Sequence, residues 1–365
     1  MLVARLGSLN ALEQTREGRG VWRRLFGKGH RVPSADTLAR VQALFDPDDV
    51  RAVLAGFYAR LKRGKALPAP RHGLLALVID GHESTASYLR CCSGCLRREI
   101  KTKSGTKTQY YHRWAVAMLV GKGFEIFLDA EPQRRGENEV GAATRLLRRV
   151  HQRYPRAFDV VLADALYAQR PFFREVLALG KDAMAVLKNE EHTLVREVRS
   201  LCEIVPATTT KAGSTTRRCW DLEDLPWDAE GLNVRVVRSE ETTTVRRQLT
   251  KEVEETSSSW MWVSTLPPSR VSTRTVVDLG HRRWSIENEG FNEGVNAWYM
   301  DHVYHHEPRA MEVMLLLVML AYNLLHVFYD RNLKPAVRHR FSMQHIGREV
   351  TAEIYVTIPP TRAPP

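Results

Sequence analysis

Two aspartates end apolar runs that predict buried strands. Asp80 closes residues 74–80, "LLALVID", and Asp164 closes residues 158–164, "FDVVLAD". Ligand sites form at the carboxyl ends of strands in parallel or mixed sheets, so neighbouring strands would place the two carboxylates side by side. Adjacent carboxylates repel each other, and a divalent cation relieves that repulsion.

A third acid, Glu287, lies in residues 281–292, "HRRWSIENEGFN", which predicts a helix. At helical spacing this carboxylate shares one stripe with Arg283, Trp284 and Phe291. Two interpretations are open, because Glu287 can pair with Arg283 or face a metal ion. With the two aspartates, Glu287 would complete an oxygen-rich site suited to Mg²⁺ or Mn²⁺.

Each aspartate also has a simpler explanation. Asp80 precedes Gly81 and could only start a turn, whereas Asp164 could cap a following helix. The combination of three acids, in this order and on these elements, favours a shared metal site over separate structural roles.

The elements around these acids predict an α/β fold. Three strands are followed by alternating helices and strands, which indicates a mixed sheet with helices on its faces. The predicted strands are 74–80, 109–120, 124–131, 158–164 and 183–188, and the predicted helices are 137–154 and 170–180. Residues 1–70 are expected to be helical, with an N-cap at Ser34 or Asp36.

The composition is that of a folded protein with an excess of positive charge. The chain has 365 residues and 54 Lys and Arg against 42 Asp and Glu, which gives a net charge of +12. A polyanion such as nucleic acid is therefore a plausible partner, although a genome that favours arginine codons would give the same excess.

Cysteine and hydropathy patterns indicate a cytoplasmic protein. Five cysteines in a chain of this length do not form a disulfide framework, and the first 20 residues do not resemble a signal peptide. Residues 310–330 are apolar enough for a membrane span. We predict a buried core helix instead, because Glu312, Asn323 and His326 interrupt the run and no partner span exists.

With these motifs in place, the chain resembles DDE transposases of bacterial insertion sequences, which have a ribonuclease-H-like catalytic core. The positions that match the catalytic acids are Asp80, Asp164 and Glu287, and Arg283 matches the signature arginine four residues before the glutamate. The Thr-rich residues 195–265, which predict a run of strands, resemble the β insertion of one transposase group. The resemblance covers roughly residues 30–335 and implies Mg²⁺- or Mn²⁺-dependent cleavage and strand transfer on double-stranded DNA.

Two positions depart from the family signature. A tyrosine usually lies three residues before the arginine and a lysine seven after the glutamate, where this chain has Gly280 and Gly294. DNA contacts credited to that lysine must therefore come from elsewhere.

A basic stretch offers such contacts. Residues 97–113 carry six Lys and Arg against one Glu, beside two tyrosines. Cations neutralise phosphates and aromatic rings stack on bases, although a solvated β-hairpin face would have the same composition. The candidate DNA-binding residues are Arg97, Arg98, Lys101, Lys103, Lys107, Arg113 and Arg282.

Cysteines and histidines give weaker signals. Cys92 and Cys95 have zinc-knuckle spacing, and either His82 or His112 could complete a site. The remaining candidates, His302, His305 and His306, could bind a metal, but helix capping or contact with the DNA backbone is the favoured interpretation.

The sequence thus predicts a DNA transposase that acts as a homodimer or higher oligomer on DNA and does not enter a membrane. The alternatives are a nuclease or resolvase of the same fold and a domesticated DNA-binding protein without catalysis. The expected organisation is a helical, potentially DNA-binding region 1–70, core 71–194, β insertion 195–265, core 266–335 and a basic tail 336–365.

Overall fold

The computed structural model describes residues 7–14, 33–67, 69–84, 86–103, 105–123, 125–188, 193–246 and 251–355. The chain divides into two compact units. The first unit comprises Met1–Ala69, Gly81–Leu146 and Ile286–Pro365, and the second comprises Pro70–Asp80 and Leu147–Ser285. Parts of the predicted N-terminal region and tail, residues 1–6, 15–32 and 356–365, lie outside the described residues.

The helices in the described ranges are α1 (Leu9–Gln14), α2 (Ala35–Leu44), α3 (Pro47–Arg63), α4 (Glu139–Arg153), α5 (Arg170–Ala178), α6 (Thr193–Ile204), α7 (Thr273–Arg282), α8 (Asn292–Trp298), α9 (Pro308–Asn332), α10 (Pro335–Arg340) and α11 (Met343–Tyr355). The N-cap expected at the start of α2 is Ser34, whose side chain accepts the Thr37 N–H. The helices α10 and α11 make the described part of the tail, residues 336–355, largely helical.

The strands are β1 (Ala76–Glu83), β2 (Leu96–Thr102), β3 (Gly105–Tyr111), β4 (Arg113–Val120), β5 (Ile126–Pro132), β6 (Val160–Ala163), β7 (Asp182–Val186), β8 (Thr208–Ala212), β9 (Thr215–Pro226), β10 (Asn233–Arg246) and β11 (Val253–Ser264). In the second unit, β1, β6 and β7 pair in parallel. The strands β11, β10, β9 and β8 then extend the sheet beyond β7 by antiparallel pairing, so they do not separate β1, β6 and β7.

Helices cover this sheet and the strands of the first unit. In the second unit α7 packs on β7, β10 and β11, whereas in the first unit α9 packs on β5, which pairs antiparallel with β4. The predicted α/β fold, a mixed sheet flanked by helices, is confirmed.

The apolar residues 310–330 lie in α9. Among the described residues this is the one helix long and apolar enough to cross a membrane, and 67% of its most apolar window is buried inside the protein. Its interrupting polar residues have partners within the first unit. Asn323 accepts the Phe127 N–H and donates to the Phe127 carbonyl, each at 2.8 Å. Glu312 pairs with the buried Arg51, which also binds Asp129 at 2.8 Å. The helix is built as a core helix.

Two sequence-based strand predictions are wrong. The strand expected over 109–120 is two strands, because β3 ends at Tyr111 and pairs with β2, whereas β4 begins at Arg113. The strands expected throughout 195–265 begin only at Thr208, since α6 occupies the start of that region. Its buried residues, Leu194, Val195, Val198 and Cys202, follow a helical spacing beneath the Thr-rich composition.

We expect Asn323→Ala to lower the free energy of unfolding by about 1–3 kcal/mol, because two buried backbone groups of Phe127 lose their partner. Leu324→Ala is the matched control, since its side chain is 44% exposed and one position away. Denaturant unfolding followed by circular dichroism measures both variants. Equal stability of the two variants would show that the Asn323 bonds contribute nothing.

Candidate active site

The parallel strands β1 and β6 bring the segments that carry Asp80 and Asp164 next to each other. In the parallel pair β1–β6, Val78 lies opposite Leu162, so each residue of β1 faces the residue 84 positions later. Continued by two residues, the same offset joins Asp80 to Asp164. Residues opposite each other in a parallel pair project to the same face of the sheet. Asp164 directly follows β6, so continuing this register would bring the two aspartates to the carboxyl ends of neighbouring strands.

Asp164 has the capping role that its sequence position suggested. Its Oδ1 accepts the Leu166 N–H at 2.8 Å at the start of a short 3₁₀-helix, Ala165–Tyr167. The side chain is half-buried. Capping uses one carboxylate oxygen, so this role and metal binding are compatible.

Asp80 is buried and is paired with Arg283. Only 9% of Asp80 and 5% of Arg283 is exposed, and Arg283 Nη1 lies 3.3 Å from Asp80 Oδ2. The separation is longer than the about 2.7–2.9 Å of a tight charge-assisted bond. Removing one partner of a buried pair leaves an uncompensated charge, which typically costs about 3–5 kcal/mol. Arg283 thus compensates the charge that burial of Asp80 would otherwise leave alone.

Contacts from the insertion hold α7, the helix that leads to Arg283. His281 Nε2 lies 2.8 Å from the buried Glu241 on β10. Burial alone would raise the pKa of Glu241, but His281 and Arg217 together lower it below its ordinary value. On the same strand, Arg235 forms a forked pair with Asp221 at 2.8 and 2.6 Å. These positions were missed from sequence, because their Thr-rich surroundings indicated only β structure.

An aromatic cluster packs against the end of α7. The rings of Trp260 and Trp284 lie 4.7 Å apart, centroid to centroid, and His281 lies 5.3 Å from Trp262. Trp262 also explains one departure from the family signature. A Cβ added at Gly280 would lie 2.3 Å from the Trp262 ring, so no side chain fits where the family carries tyrosine.

Glu287 lies in the first unit, in a π-helix over Ile286–Phe291. The helix expected over 281–292 is therefore interrupted, because α7 ends at Arg282 and the π-helix begins at Ile286. Within this segment the Glu289 carbonyl accepts a hydrogen bond from the Tyr322 hydroxyl at 3.1 Å. Glu287 is exposed, so the desolvation penalty on its charge is small.

A glutamate that sequence analysis missed lies beside the residue after Asp80. A Cβ added at Gly81 would lie 2.2 Å from Glu139 Oε2, so the glycine permits this close approach. Glu139 is buried and lies 3.4 Å from Arg113 Nη1. An "IDG" motif with glycine after the acid is the signal that could have indicated a close neighbour.

The basic stretch forms the β2–β3 hairpin. Arg97 and Lys101 lie on one face, because they pair with Tyr110 and Thr106, whereas Lys107 pairs with Ile100 on the other face. All three side chains are exposed, as is Lys103 between the strands. These cations are accessible to a polyanion.

The other candidate DNA-binding arginines are engaged within the protein. Arg98 forms a forked pair with Glu83 at 2.9 and 2.6 Å and lies over the Tyr111 ring at 4.4 Å. Arg113 is half-buried and approaches both Glu83 and Glu139. Arg282 is half-buried in the last turn of α7. These three are less available to phosphate than the hairpin lysines.

Comparison with known proteins shows the family of this chain. The transposase DDE domain family matches residues 71–324, and the chain belongs to this family of transposases. Members of the family use divalent metal ions. No curated protein matches the sequence significantly.

Among solved structures, the chain is similar to piggyBac transposase in a synaptic complex with hairpin DNA, with 10% identity and a TM-score of 0.42. The match covers 80% of this chain and 56% of that chain, so this chain spans little more than half the length of that transposase.

We expect Gly280→Ala to lower the free energy of unfolding by about 1–3 kcal/mol, because the added methyl group forces Trp262 or α7 to move. Gly56→Ala is the control, since a Cβ there meets nothing within 4 Å and alanine favours the helix. Thermal unfolding followed by circular dichroism reports both. A Gly280→Ala protein as stable as the unsubstituted chain would contradict the packing argument.

Proposed function

We propose that the protein is a DNA transposase of the insertion-sequence type, which cleaves the element ends and joins the freed 3′-hydroxyl to target DNA. The observation that supports the proposal is the β1–β6 register, whose offset of 84 residues, continued by two positions, would align Asp80 with Asp164 within the family-matched segment. In this proposal Glu287 contributes the third carboxylate, from the position that matches the family glutamate.

The donor set suits a hard divalent cation. Carboxylate oxygens are the ligands that Mg²⁺ and Mn²⁺ prefer, and two of them lie at neighbouring strand ends. Asp80 and Asp164 would bind two ions jointly and Glu287 one of them. When bound, the ions activate the attacking oxygen and stabilise the leaving oxygen of the phosphodiester.

The residues around the carboxylates keep them in place for this chemistry. Arg283 orients Asp80 and compensates its charge before the cation arrives. The cap to Leu166 fixes the Asp164 side chain through one oxygen. In the first step water attacks the phosphorus at the element end and the 3′-oxygen leaves. In the second step that 3′-hydroxyl attacks a target phosphodiester and releases the target 3′-oxygen.

DNA binding is proposed to rest on the exposed hairpin cations. Arg97, Lys101, Lys103 and Lys107 would neutralise backbone phosphates, and Gly294 leaves no lysine at the usual signature position. The protein would act on DNA as a homodimer or higher oligomer in the cytoplasm.

We expect Asp80→Asn, Asp164→Asn and Glu287→Gln each to lower strand cleavage by more than about 100-fold, because each removes a proposed metal ligand. Binding to the same DNA should change little, since phosphate contacts supply the affinity. The assay uses Mg²⁺ and a DNA fragment bearing the inverted repeats that flank the gene.

Glu289→Gln is the matched control, because this exposed carboxylate lies two residues from Glu287 in the same π-helix. Retained cleavage in any of the three variants would remove that residue from the site. Cleavage without joining to target DNA would identify a nuclease, and binding without cleavage would identify a DNA-binding protein that lacks catalysis.

We expect the triple variant Lys101→Glu, Lys103→Glu and Lys107→Glu to bind all DNA sequences more weakly and with a flatter salt dependence. Each lost phosphate contact lowers the slope of log affinity against log salt by about one. Filter binding over a salt series measures the slope.

A second triple variant separates local contact from total charge. Lys62, Lys122 and Lys211 are also exposed and lie outside the hairpin, so their reversal to glutamate lowers the net charge by the same amount. Equal slopes in the two triple variants would show that the hairpin is only a solvated face.

A further inference from the structure

Four metal-ligating side chains meet at the base of the β2–β3 hairpin. They are Cys92, Cys95, His112 and His306, and one ligand atom from each lies within 4.8 Å of all the others. Cys95 directly precedes β2, and His112 directly follows β3. His306 comes from the segment just before α9, so chain positions about 200 residues apart converge here.

The separations are those of a tetrahedral site. Zn–S and Zn–N lengths of about 2.3 and 2.0–2.1 Å at tetrahedral angles give about 3.8 Å between two sulfurs and about 3.6 Å between sulfur and nitrogen. The Cys92 and Cys95 sulfurs lie 3.6 Å apart. His112 Nε2 lies 3.3 Å from each sulfur, and His306 Nε2 lies 3.7 Å from Cys95 Sγ. These four separations lie within a few tenths of an ångström of the tetrahedral values, and the other two are no longer than 4.8 Å.

The surroundings support the four side chains as a unit. Arg135 donates to the Cys95 carbonyl at 2.8 Å and to the Cys92 carbonyl at 3.1 Å, which places a positive charge beside the two thiols. The Cys92 N–H donates to Cys95 Sγ at 3.2 Å, a bond that stabilises a thiolate. Gly94 lies between the two cysteines and is closely packed. A Cβ added there would lie 3.1 Å from Pro308 and 3.4 Å from His112. Ligand-orienting groups of this kind are typical of built metal sites.

The other histidines considered from sequence lie apart from this cluster. The His82 ring packs on Phe291, with centroids 5.0 Å apart. His305 accepts the Glu307 N–H through Nδ1, as a cap before α9. His112 and His306 are thus the two histidines that complete the cysteine pair.

We propose that Cys92, Cys95, His112 and His306 bind a structural Zn²⁺ ion that fastens the base of the basic hairpin to the start of α9. Two thiols and two imidazoles form the nitrogen and sulfur set that zinc prefers, unlike the carboxylates proposed for Mg²⁺. Four protein ligands leave no open position, so the ion has a structural role. Its effect on DNA affinity, through the position of the hairpin, rests on the proposed function, whereas metal binding does not.

The direct test is metal content. Full-length protein, expressed with zinc and purified under reducing conditions, should hold one zinc per chain after gel filtration. Replacement by Co²⁺ should give visible d–d bands of tetrahedral cobalt together with thiolate charge-transfer bands. Protein without zinc above background and without these bands would overturn the proposal, whatever the outcome of DNA assays.

Neighbouring cysteines provide a matched pair of variants. Cys92→Ser should lose the bound zinc, whereas Cys91→Ser should keep it, because Cys91 is exposed and outside the cluster. His306→Asn tests the ligand from before α9 and should also release zinc. Equal zinc content in Cys91→Ser, Cys92→Ser and His306→Asn would refute the ligand assignment.

Arg135→Gln leaves all four ligands present, so it keeps the test informative where a ligand variant fails to fold. Zinc affinity in this variant should fall by about 10–100-fold, as for other groups that orient ligands. Unchanged affinity would remove Arg135 from the site. If zinc-free wild-type protein also binds DNA more weakly, the ion positions the hairpin. Zinc binding without an effect on DNA would leave the metal site intact and count against the hairpin as the DNA contact.

Discussion

The parallel pairing of β1 with β6 is the constraint on which the candidate site depends. Side chains along a strand alternate between the two faces of the sheet. A register slip of one residue would therefore turn one aspartate to the opposite face. The paired segments are apolar and buried, so any slip would also expose core side chains. Burial of the apolar side chains of β1 and β6 therefore determines where the backbone places Asp80 and Asp164. Arg283 then makes that arrangement tolerable in a folded protein without a bound ligand.

The insertion contributes to the site through α7. Glu241, Arg235 and Trp262 lie on strands of the insertion, and each fixes part of α7 or the loop before it. The Arg235 guanidinium also donates to the Val271 carbonyl at 2.9 Å, just before the helix begins. A segment that interrupts the core in sequence thus supports the arginine that compensates Asp80.

The parts of the candidate site that depend on local pattern are predictable from the sequence. Apolar runs that end in aspartate predicted β1 and β6, because burial and strand length are both visible in a few residues. The π-helix was not predicted, because the pattern of 12 residues is too short to distinguish a π-helix from an α-helix. His306 was not joined to Cys92 and Cys95, since no spacing rule connects ligands 211 positions apart.

Asn323 fixes the axial position of α9 on the neighbouring strand. A helix that is apolar on most of its surface can shift along a neighbouring strand at a small cost in free energy, because each lost apolar contact is replaced by another. The two bonds to the Phe127 backbone form at one axial position only, so a shift of one turn would leave three polar groups buried without partners. Asn323 thus fixes the position of α9 along its axis, which apolar packing alone would leave variable. The axial position of α9 in turn sets the position of the residues at its start and of His306 just before it.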